Sequence, residues 1–363
     1  MNFLQTGNNR AGSKQGRLRW IGLDEAGLGP NLGPLVITAT VWETPLAWWP
    51  STTQTQIPQS LNAASNTLWE SQSSAITQTT SRDETRLHIA DSKAVYSTSR
   101  GLDSLAASVN GLLHVWHAGT DSPCKNLPAN IGELVDLVEQ SSPSKHQTSE
   151  IIEPWFAGLK AISLPGQQLT PVQENAISNW LNVCREAQIE LTAIHSRVVM
   201  TPEFNRRVKS TGNKSTAVSE VAFELMQQAV QQVLAIDPDA PILLLSDQHG
   251  GRKNYEALLV NYFPDAWWKT LPATGEGRYY LAENIFASFA PRSESYLPVA
   301  AASLVCKYLR ECYMHAFNRW WLQQLPKIKP TQGYPQDARR FRAEIDEYCQ
   351  KHQLEEDLWW RCK

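Results

Sequence analysis

Apolar residues follow two different spacings along this chain, and their alternation predicts a mixed α/β fold. Short apolar runs that end near residue 23, and again at 35–42 and 242–246, have the length and composition of β-strands. Apolar residues recur every three or four positions over 216–234, which predicts an amphipathic helix that packs on the sheet. A further helix is expected to begin near Pro298, because proline is tolerated in a first helical turn.

Two polar stretches interrupt this pattern. Residues 51–82 are rich in Ser, Thr, Gln and Asn, and residues 118–150 combine prolines with a run of small polar residues. Both stretches are expected to be irregular surface insertions outside the core.

The composition is that of an ordinary globular protein and disfavours several classes of function. A net charge of −3 argues against nucleic-acid binding by the whole surface, although it allows local basic patches at 206–214, 252–253 and 327–342. The six cysteines form no Cys-x-x-Cys pair and have no histidine at zinc spacing, which disfavours a zinc site and a disulfide framework. Neither a membrane span nor a signal peptide is predicted, so a cytoplasmic monomer without membrane contact is expected.

The segment 20–37 is the most informative part of the chain, because an apolar strand ends there on Asp24 and Glu25 and a glycine-rich turn follows at once. Glycine lets a ligand approach the main chain closely. The segment is interpreted either as a metal and phosphate site or as a plain acidic turn between two strands. Asp247 follows the short strand 242–246, where it belongs to a site at the sheet edge or caps the next helix.

The helix expected near Pro298 carries a polar stripe. Ser303, Lys307 and Glu311 recur at intervals of four residues and therefore share one helical face. A Lys–Glu pair at this spacing is usually an exposed pair of little energetic value, and that interpretation stays open here.

Taken together and in this order, these segments resemble the type 2 ribonuclease H superfamily, which comprises ribonucleases HII and HIII. The strongest match is Asp-Glu-Ala-Gly-x-Gly-Pro-x-x-Gly-Pro over 24–34. The further matches are Asp91-Ser-Lys93, the helix at 203–230, Asp247, Ala300-Ala-Ala-Ser303 with Lys307, and Gly333-Tyr334-Pro335. The resemblance spans about residues 18–340 and mixes the two subtypes, since Glu311 stands where ribonuclease HII has aspartate.

The resemblance implies a ribonuclease H-like fold, with a mixed central sheet flanked by helices. A catalytic domain over 18–314 would contain both insertions, and a helical C-terminal region over 315–363 would pack on it. Four carboxylates would form the active site and bind two Mg²⁺ or Mn²⁺ ions: Asp24, Glu25, Asp247 and Glu311. The chemistry agrees, because two ions about 4 Å apart serve phosphodiester hydrolysis and oxygen-only ligands select these metals over zinc.

The resemblance also implies a substrate, either the RNA strand of RNA–DNA hybrids or ribonucleotides embedded in duplex DNA. The main chain of Gly27-Leu28-Gly29 and the side chain of Tyr334 would sense the 2′-hydroxyl group. Three further side chains would contact phosphates: Lys93, Ser303 and Lys307.

Departures from the family pattern keep other functions open. Leu28 replaces the arginine usual in ribonuclease HII, and with Glu311 this change allows a hybrid-binding protein that has lost turnover. A nuclease of the same fold that cleaves DNA without ribose is a third possibility. His249 is interpreted either as an exposed loop residue or as an aid to product release or proton transfer.

Overall fold

A computed structural model describes residues 16–49, 57–81, 84–96, 101–119, 127–140, 153–166, 168–272 and 277–362. The strands of this part of the chain are β1 (Arg17–Ala26), β2 (Leu35–Pro45), β3 (Ile76–Thr77), β4 (Leu87–His88), β5 (Glu190–Val199), β6 (Ile242–Ser246), β7 (Lys269–Leu271), β8 (Arg278–Ala282) and β9 (Ile285–Phe289). The helices are α1 (Ile57–Glu70), α2 (Ser92–Val95), α3 (Asp103–Gly119), α4 (Ile131–Gln140), α5 (Pro171–Glu186), α6 (Thr201–Thr211), α7 (Lys214–Ile236), α8 (Glu256–Tyr262), α9 (Leu297–Gln324) and α10 (Pro335–Lys351). Short 3₁₀ turns connect several of these elements.

A seven-stranded mixed sheet in the order β5-β2-β1-β6-β9-β8-β7 forms the centre of the molecule. Strands β1, β6 and β9 are parallel neighbours, whereas the other pairs in this sheet are antiparallel. The predicted α/β fold with a mixed central sheet is therefore confirmed. The carboxyl ends of the three parallel strands lie at one edge of the sheet, which is where open α/β sheets place their ligands.

Helices cover both faces of this sheet. Helices α9 and α3 pack on one face, around Trp20 of β1, and α7 packs on the other face, against Ile21 and Leu23. This division follows from the alternation of side chains along a strand. Both helices expected from the sequence are confirmed, because α7 covers 216–234 and α9 begins beside Pro298.

Helix α9 approaches β1 unusually closely at Gly22. A Cβ atom on this glycine would lie 2.3 Å from the carbonyl carbon of Pro298 and 2.4 Å from the nitrogen of Val299. The hydroxyl of Thr40 donates to the carbonyl oxygen of Pro298 at 2.7 Å and fixes the same contact. Glycine is required here because no side chain fits between strand and helix.

The two polar stretches are more regular than their composition suggests. Helix α1 lies within 51–82 and buries Ile57, Leu61, Ala64 and Leu68, and α4 lies within 118–150 with its apolar face in the core. The prediction of irregular insertions is wrong for these helices, because a few apolar residues at helical spacing suffice to anchor a polar helix. Within the two stretches, residues 51–56, 82, 120–126 and 141–150 lie outside the described residues.

Helix α9 continues through residue 314, where the catalytic domain was expected to end, and α10 follows in the expected helical C-terminal region. None of the helices in the described ranges is long and apolar enough to cross a membrane.

Candidate active site

Four carboxylates converge where the three parallel strands end. Asp24 and Glu25 lie at the end of β1, Asp247 directly follows β6, and Glu294 lies in a 3₁₀ turn, Ser293–Ser295, after β9. The register confirms that the strand ends are adjacent, because Leu23 pairs with Ser246, which in turn pairs with Phe289. The structure thus brings Asp24, Glu25 and Asp247 together as the sequence predicted and adds Glu294, which the sequence analysis missed.

Asp24 is the most deeply buried member of this acidic cluster, with 8% of its surface exposed. It faces α9, where a side-chain hydrogen bond joins it to Ser303, and the backbone nitrogen of Glu25 donates to its Oδ1 atom at 2.8 Å. Burial raises the pKa of Asp24 to about 8, with a smaller contribution from the negative charges of Glu294 and Asp247. The carboxylate form of Asp24 therefore requires a nearby positive charge.

The other three carboxylates share this condition. Burial raises the pKa of Glu25, and the charges of Asp24 and Asp247 raise it further. Burial likewise raises the pKa of Asp247 and of Glu294. The Oδ1 atom of Asp247 is buried and has no hydrogen-bond partner in the described structure, which leaves a free donor atom for a cation.

Lys93 is a cation that faces the acidic cluster. Its ammonium group lowers the pKa of Glu25 and of Asp247, and its side chain is 84% exposed. Burial alone would lower the pKa of Lys93, but the neighbouring carboxylates of Asp91 and Glu294 outweigh this effect and raise the pKa. Asp91 also fixes the backbone here, since its Oδ1 atom accepts from the nitrogen of Lys93 at 3.0 Å.

Glu311, the predicted fourth carboxylate, is held in a separate group of buried side chains. Its carboxylate accepts from Lys307 at 2.5 Å, from Arg310 at 3.5 Å and from the hydroxyl of Tyr96 at 3.2 Å. It lies eight residues beyond Ser303, about 12 Å along the helix axis. The interpretation of Lys307 and Glu311 as an exposed surface pair is wrong, because their side chains are only 11% and 4% exposed.

The predicted phosphate contacts fall into two classes. Lys93 is exposed, whereas Ser303 and Lys307 are buried and bonded to protein groups. Ser303 accepts from the nitrogen of Ser92 at 3.3 Å and is also hydrogen-bonded to Asp24. It therefore positions a carboxylate of the acidic cluster and is not exposed to a phosphate.

The glycine-rich turn and Tyr334 meet at the same end of the molecule. Arg310 joins them, because its Nη2 atom donates to the carbonyl oxygens of Leu32 at 3.3 Å and Gln332 at 3.0 Å. Its guanidinium also lies 5.8 Å from the ring of Tyr334, which is 50% exposed. The ring is therefore available to a ligand next to the turn.

Within the turn, positive φ angles at Gly27 (+97°) and Gly33 (+80°) require glycine. Leu28 is half-buried against the apolar cluster on the α7 face. Gly29 is exposed, and a Cβ atom there would meet nothing within 4 Å. The backbone nitrogens of Leu28 and Gly29 have no acceptor among the described residues.

His249 is buried, so its interpretation as an exposed loop residue is wrong. Its ring nitrogens lie 3.1 Å from the hydroxyl of Ser246 and 3.2 Å from that of Ser219, and its backbone nitrogen donates to Tyr255. Burial lowers the pKa of His249 to about 4. The neutral ring therefore fixes the loop that follows Asp247.

The donor set of the acidic cluster suits a hard divalent cation, because it consists of carboxylate oxygens and includes the free Oδ1 atom of Asp247. Among the described residues, however, no group of three or more His, Cys, Asp or Glu side chains is arranged to hold a metal ion. The part of the chain that the structure describes therefore has the chemistry of a metal site, but no complete set of ligands in coordinating positions.

The chain matches no protein-family model and no curated protein sequence. It is similar to the solved structure of ribonuclease HII from Archaeoglobus fulgidus in its complex with PCNA, with 12% identity, 95% coverage of both chains and a TM-score of 0.37. For ribonuclease H2 from Pyrococcus horikoshii OT3 the identity is 14%, the coverage 94% of this chain and 92% of the other, and the TM-score 0.37. For Bst-RNase HIII in complex with Mn²⁺ the identity is 15%, the coverage 92% of this chain and 65% of the other, and the TM-score 0.33. Similarity at these values concerns the fold alone.

Proposed function

We propose that this protein is a metal-dependent endonuclease that hydrolyses phosphodiester bonds at ribonucleotides, in RNA–DNA hybrids or in duplex DNA. The observation that carries the proposal is the convergence of Asp24, Glu25 and Asp247 at the ends of parallel strands. An open glycine-rich turn directly follows Glu25, and the exposed ring of Tyr334 lies next to Arg310 at the far end of that turn. Carboxylates supply metal ligands, and an exposed turn with free N–H groups supplies contacts to a sugar–phosphate backbone.

Asp24, Glu25 and Asp247 would hold Mg²⁺ or Mn²⁺, with Glu311 as the fourth ligand implied by the family resemblance. Such ions, when bound, polarise the phosphate and lower the pKa of a water molecule. Glu311 would have to leave its ion pair with Lys307 to take part. Glu294 already lies with the other three carboxylates and is the alternative fourth ligand.

The remaining residues would orient the substrate. Ser303 holds the carboxylate of Asp24 towards the cluster through its hydrogen bond. Lys93, exposed beside the carboxylates, would bind a phosphate oxygen of the incoming strand. The N–H groups of Leu28 and Gly29 would approach the ribose and its phosphate, and the ring of Tyr334 would pack against the sugar.

The test is cleavage of end-labelled duplexes that carry one ribonucleotide, a continuous RNA strand or no ribose, each with Mg²⁺ or Mn²⁺. Asp24→Asn and Asp247→Asn should abolish cleavage without loss of hybrid binding. Asp136→Asn is the matched control, because it makes the same change at a carboxylate of α4 that pairs with Lys160. Wild-type cleavage by either active-site variant, or equal cleavage of the all-deoxy duplex, would refute the proposal.

The fourth ligand can be identified in the same assay. Glu294→Gln and Glu311→Gln are isosteric changes, and the larger loss of cleavage at limiting Mn²⁺ identifies the carboxylate that binds metal.

A hybrid-binding protein without turnover is the second candidate. It is favoured by the ion pairs of Glu311 with Lys307 and Arg310 and by the lack of a complete ligand set among the described residues. Tight binding of the hybrid together with no metal-dependent cleavage of any duplex would establish it.

A further inference from the structure

Arg361 connects the C-terminal segment directly to the glycine-rich turn. Its side chain is fully buried, and its Nη1 atom donates to the carbonyl oxygen of Gly27. Its backbone nitrogen donates to the carbonyl oxygen of Asn31 at 2.9 Å, and the Asn31 side chain donates back to the carbonyl oxygen of Arg361 at 3.4 Å. One residue far along the chain therefore contacts the turn at two points.

Helix α6 holds Arg361 in place from the other side. The guanidinium lies 3.8 Å from the centre of the Phe204 ring. Asn205 donates to the carbonyl oxygen of Trp360 at 2.9 Å and accepts from the nitrogen of Cys362 at the same distance. Both neighbours of Arg361 are thus fixed, and the guanidinium is presented to Gly27 by rigid surroundings.

The burial of the Arg361 guanidinium lowers the stability of the folded protein. The Nε and Nη2 atoms of Arg361 are buried without a hydrogen-bond partner in the described structure. Burial, together with a smaller contribution from the positive charge of Arg310, lowers the pKa of Arg361 to about 9. A buried cation that no carboxylate of the described residues neutralises costs stability, and an apolar side chain of similar size would pack here at lower cost.

We infer that Arg361 is a positioning residue for ribose selectivity: it fixes the carbonyl group of Gly27 and thereby directs the N–H groups of Leu28 and Gly29 towards the sugar of the bound strand. This inference rests on the proposed function. The peptide that follows Gly27 is rigid, so holding its carbonyl oxygen also sets the direction of the N–H of Leu28. Arg310 holds the far end of the turn at Leu32, and Arg361 holds the near end.

The test compares Arg361→Met, Arg361→Lys and the control Arg342→Met. Arg342 is suitable because it also interacts with the C-terminal segment, 5.0 Å from the Trp360 ring and paired with Glu356. In the described ranges, none of its contacts reaches the turn. For each protein, kcat and KM are measured on a duplex with one ribonucleotide. Binding of that duplex and of the all-deoxy duplex is measured with Ca²⁺, and folding is followed by urea denaturation.

We expect Arg361→Met to raise KM at least fivefold with kcat within twofold of wild type, and to reduce the preference for the ribonucleotide duplex at least fivefold. Arg361→Lys should lie between, and Arg342→Met should match wild type. A folded Arg361→Met protein with wild-type KM and preference would overturn the inference while the proposed function stands. If Arg361→Met does not fold, the test uses Arg361→Lys, and wild-type KM and preference in that variant would overturn the inference. A wild-type protein that neither cleaves nor prefers the ribonucleotide duplex would overturn the proposed function and this inference together.

Discussion

Replacing Gly22 by alanine tests how closely α9 must approach β1. The new Cβ atom would lie 2.3 Å from the carbonyl carbon of Pro298, whereas ordinary van der Waals contact begins at 3.4 Å. Strand and helix would therefore have to separate by about 1 Å. Both clashing groups are main chain in regular elements, so neither can rotate away, and overpacking of this kind costs about 3 kcal/mol.

Part of this cost is offset, because Gly22 has no positive φ angle and alanine reduces the entropy of the unfolded chain by about 0.5–1 kcal/mol. The expected net loss is about 2 kcal/mol. With a urea m-value of about 3 kcal/mol/M, the midpoint of unfolding should fall by about 0.7 M. Cleavage should fall as well, since α9 carries the Ser303 hydroxyl that holds Asp24.

Gly29→Ala is the matched control for this prediction. The same methyl group is added, but nothing lies within 4 Å of it and φ is not positive, so the free energy of unfolding should stay within about 0.5 kcal/mol of wild type. Its effect should instead be on affinity for the ribonucleotide duplex. A Gly22→Ala protein with a wild-type urea midpoint and m-value would refute the close packing of α9 on β1.

Three further predictions concern buried charge and metal. Burial lowers the pKa of His195 to about 4, so the free energy of unfolding should fall as the pH falls from 6.5 towards 4, by about 2 kcal/mol between pH 7 and pH 5. Urea unfolding of His195→Asn should lack this part of the acid sensitivity. Unchanged acid sensitivity in that variant would contradict a buried, neutral His195. Lys307→Met should lower the free energy of unfolding by about 3 kcal/mol, because it leaves Glu311 buried with weaker partners. In a thermodynamic cycle, the double variant with Glu311→Leu should recover most of this loss. Purely additive effects of the two substitutions on stability would argue against the ion pair. Mn²⁺ at 100 times its Kd should stabilise the wild type by about 2.7 kcal/mol, and calorimetry should show less than half of this gain for Asp247→Asn; an equal gain would remove Asp247 from the metal site.

The sequence predicted the parts of this structure whose signals are local. The strand before Asp24, the helix over 216–234 and the strand before Asp247 each show their periodicity within one short window, and all three are confirmed. The juxtaposition of Asp24 with Asp247 was expected from the family resemblance, whereas the position of Asp247 after a strand left a helix cap equally open.

Glu294 was missed because its position depends on topology. Strand β9 has only five residues, and nothing local shows that it lies parallel to β6. The available signal was the apolar run at 285–289, followed three residues later by Arg292-Ser-Glu294. The burial of Lys307 and Glu311 could not be predicted either, because their spacing is the same in an exposed surface pair and in the buried pair observed here.

The order of strands in the sheet also bears on how the chain is made. Strand β1 is central, yet its neighbour β6 begins about 200 residues after β1 ends. At about 5–20 residues per second, the ribosome needs roughly 10–40 s to synthesise the intervening chain. During that time β1 and β2 can form a hairpin, but the other edge of β1 has no partner strand and the site at its end is incomplete. An unpaired apolar edge of this kind favours association with other chains. The newly synthesised chain therefore passes through an interval in which it depends on protection from aggregation before the carboxylates can assemble.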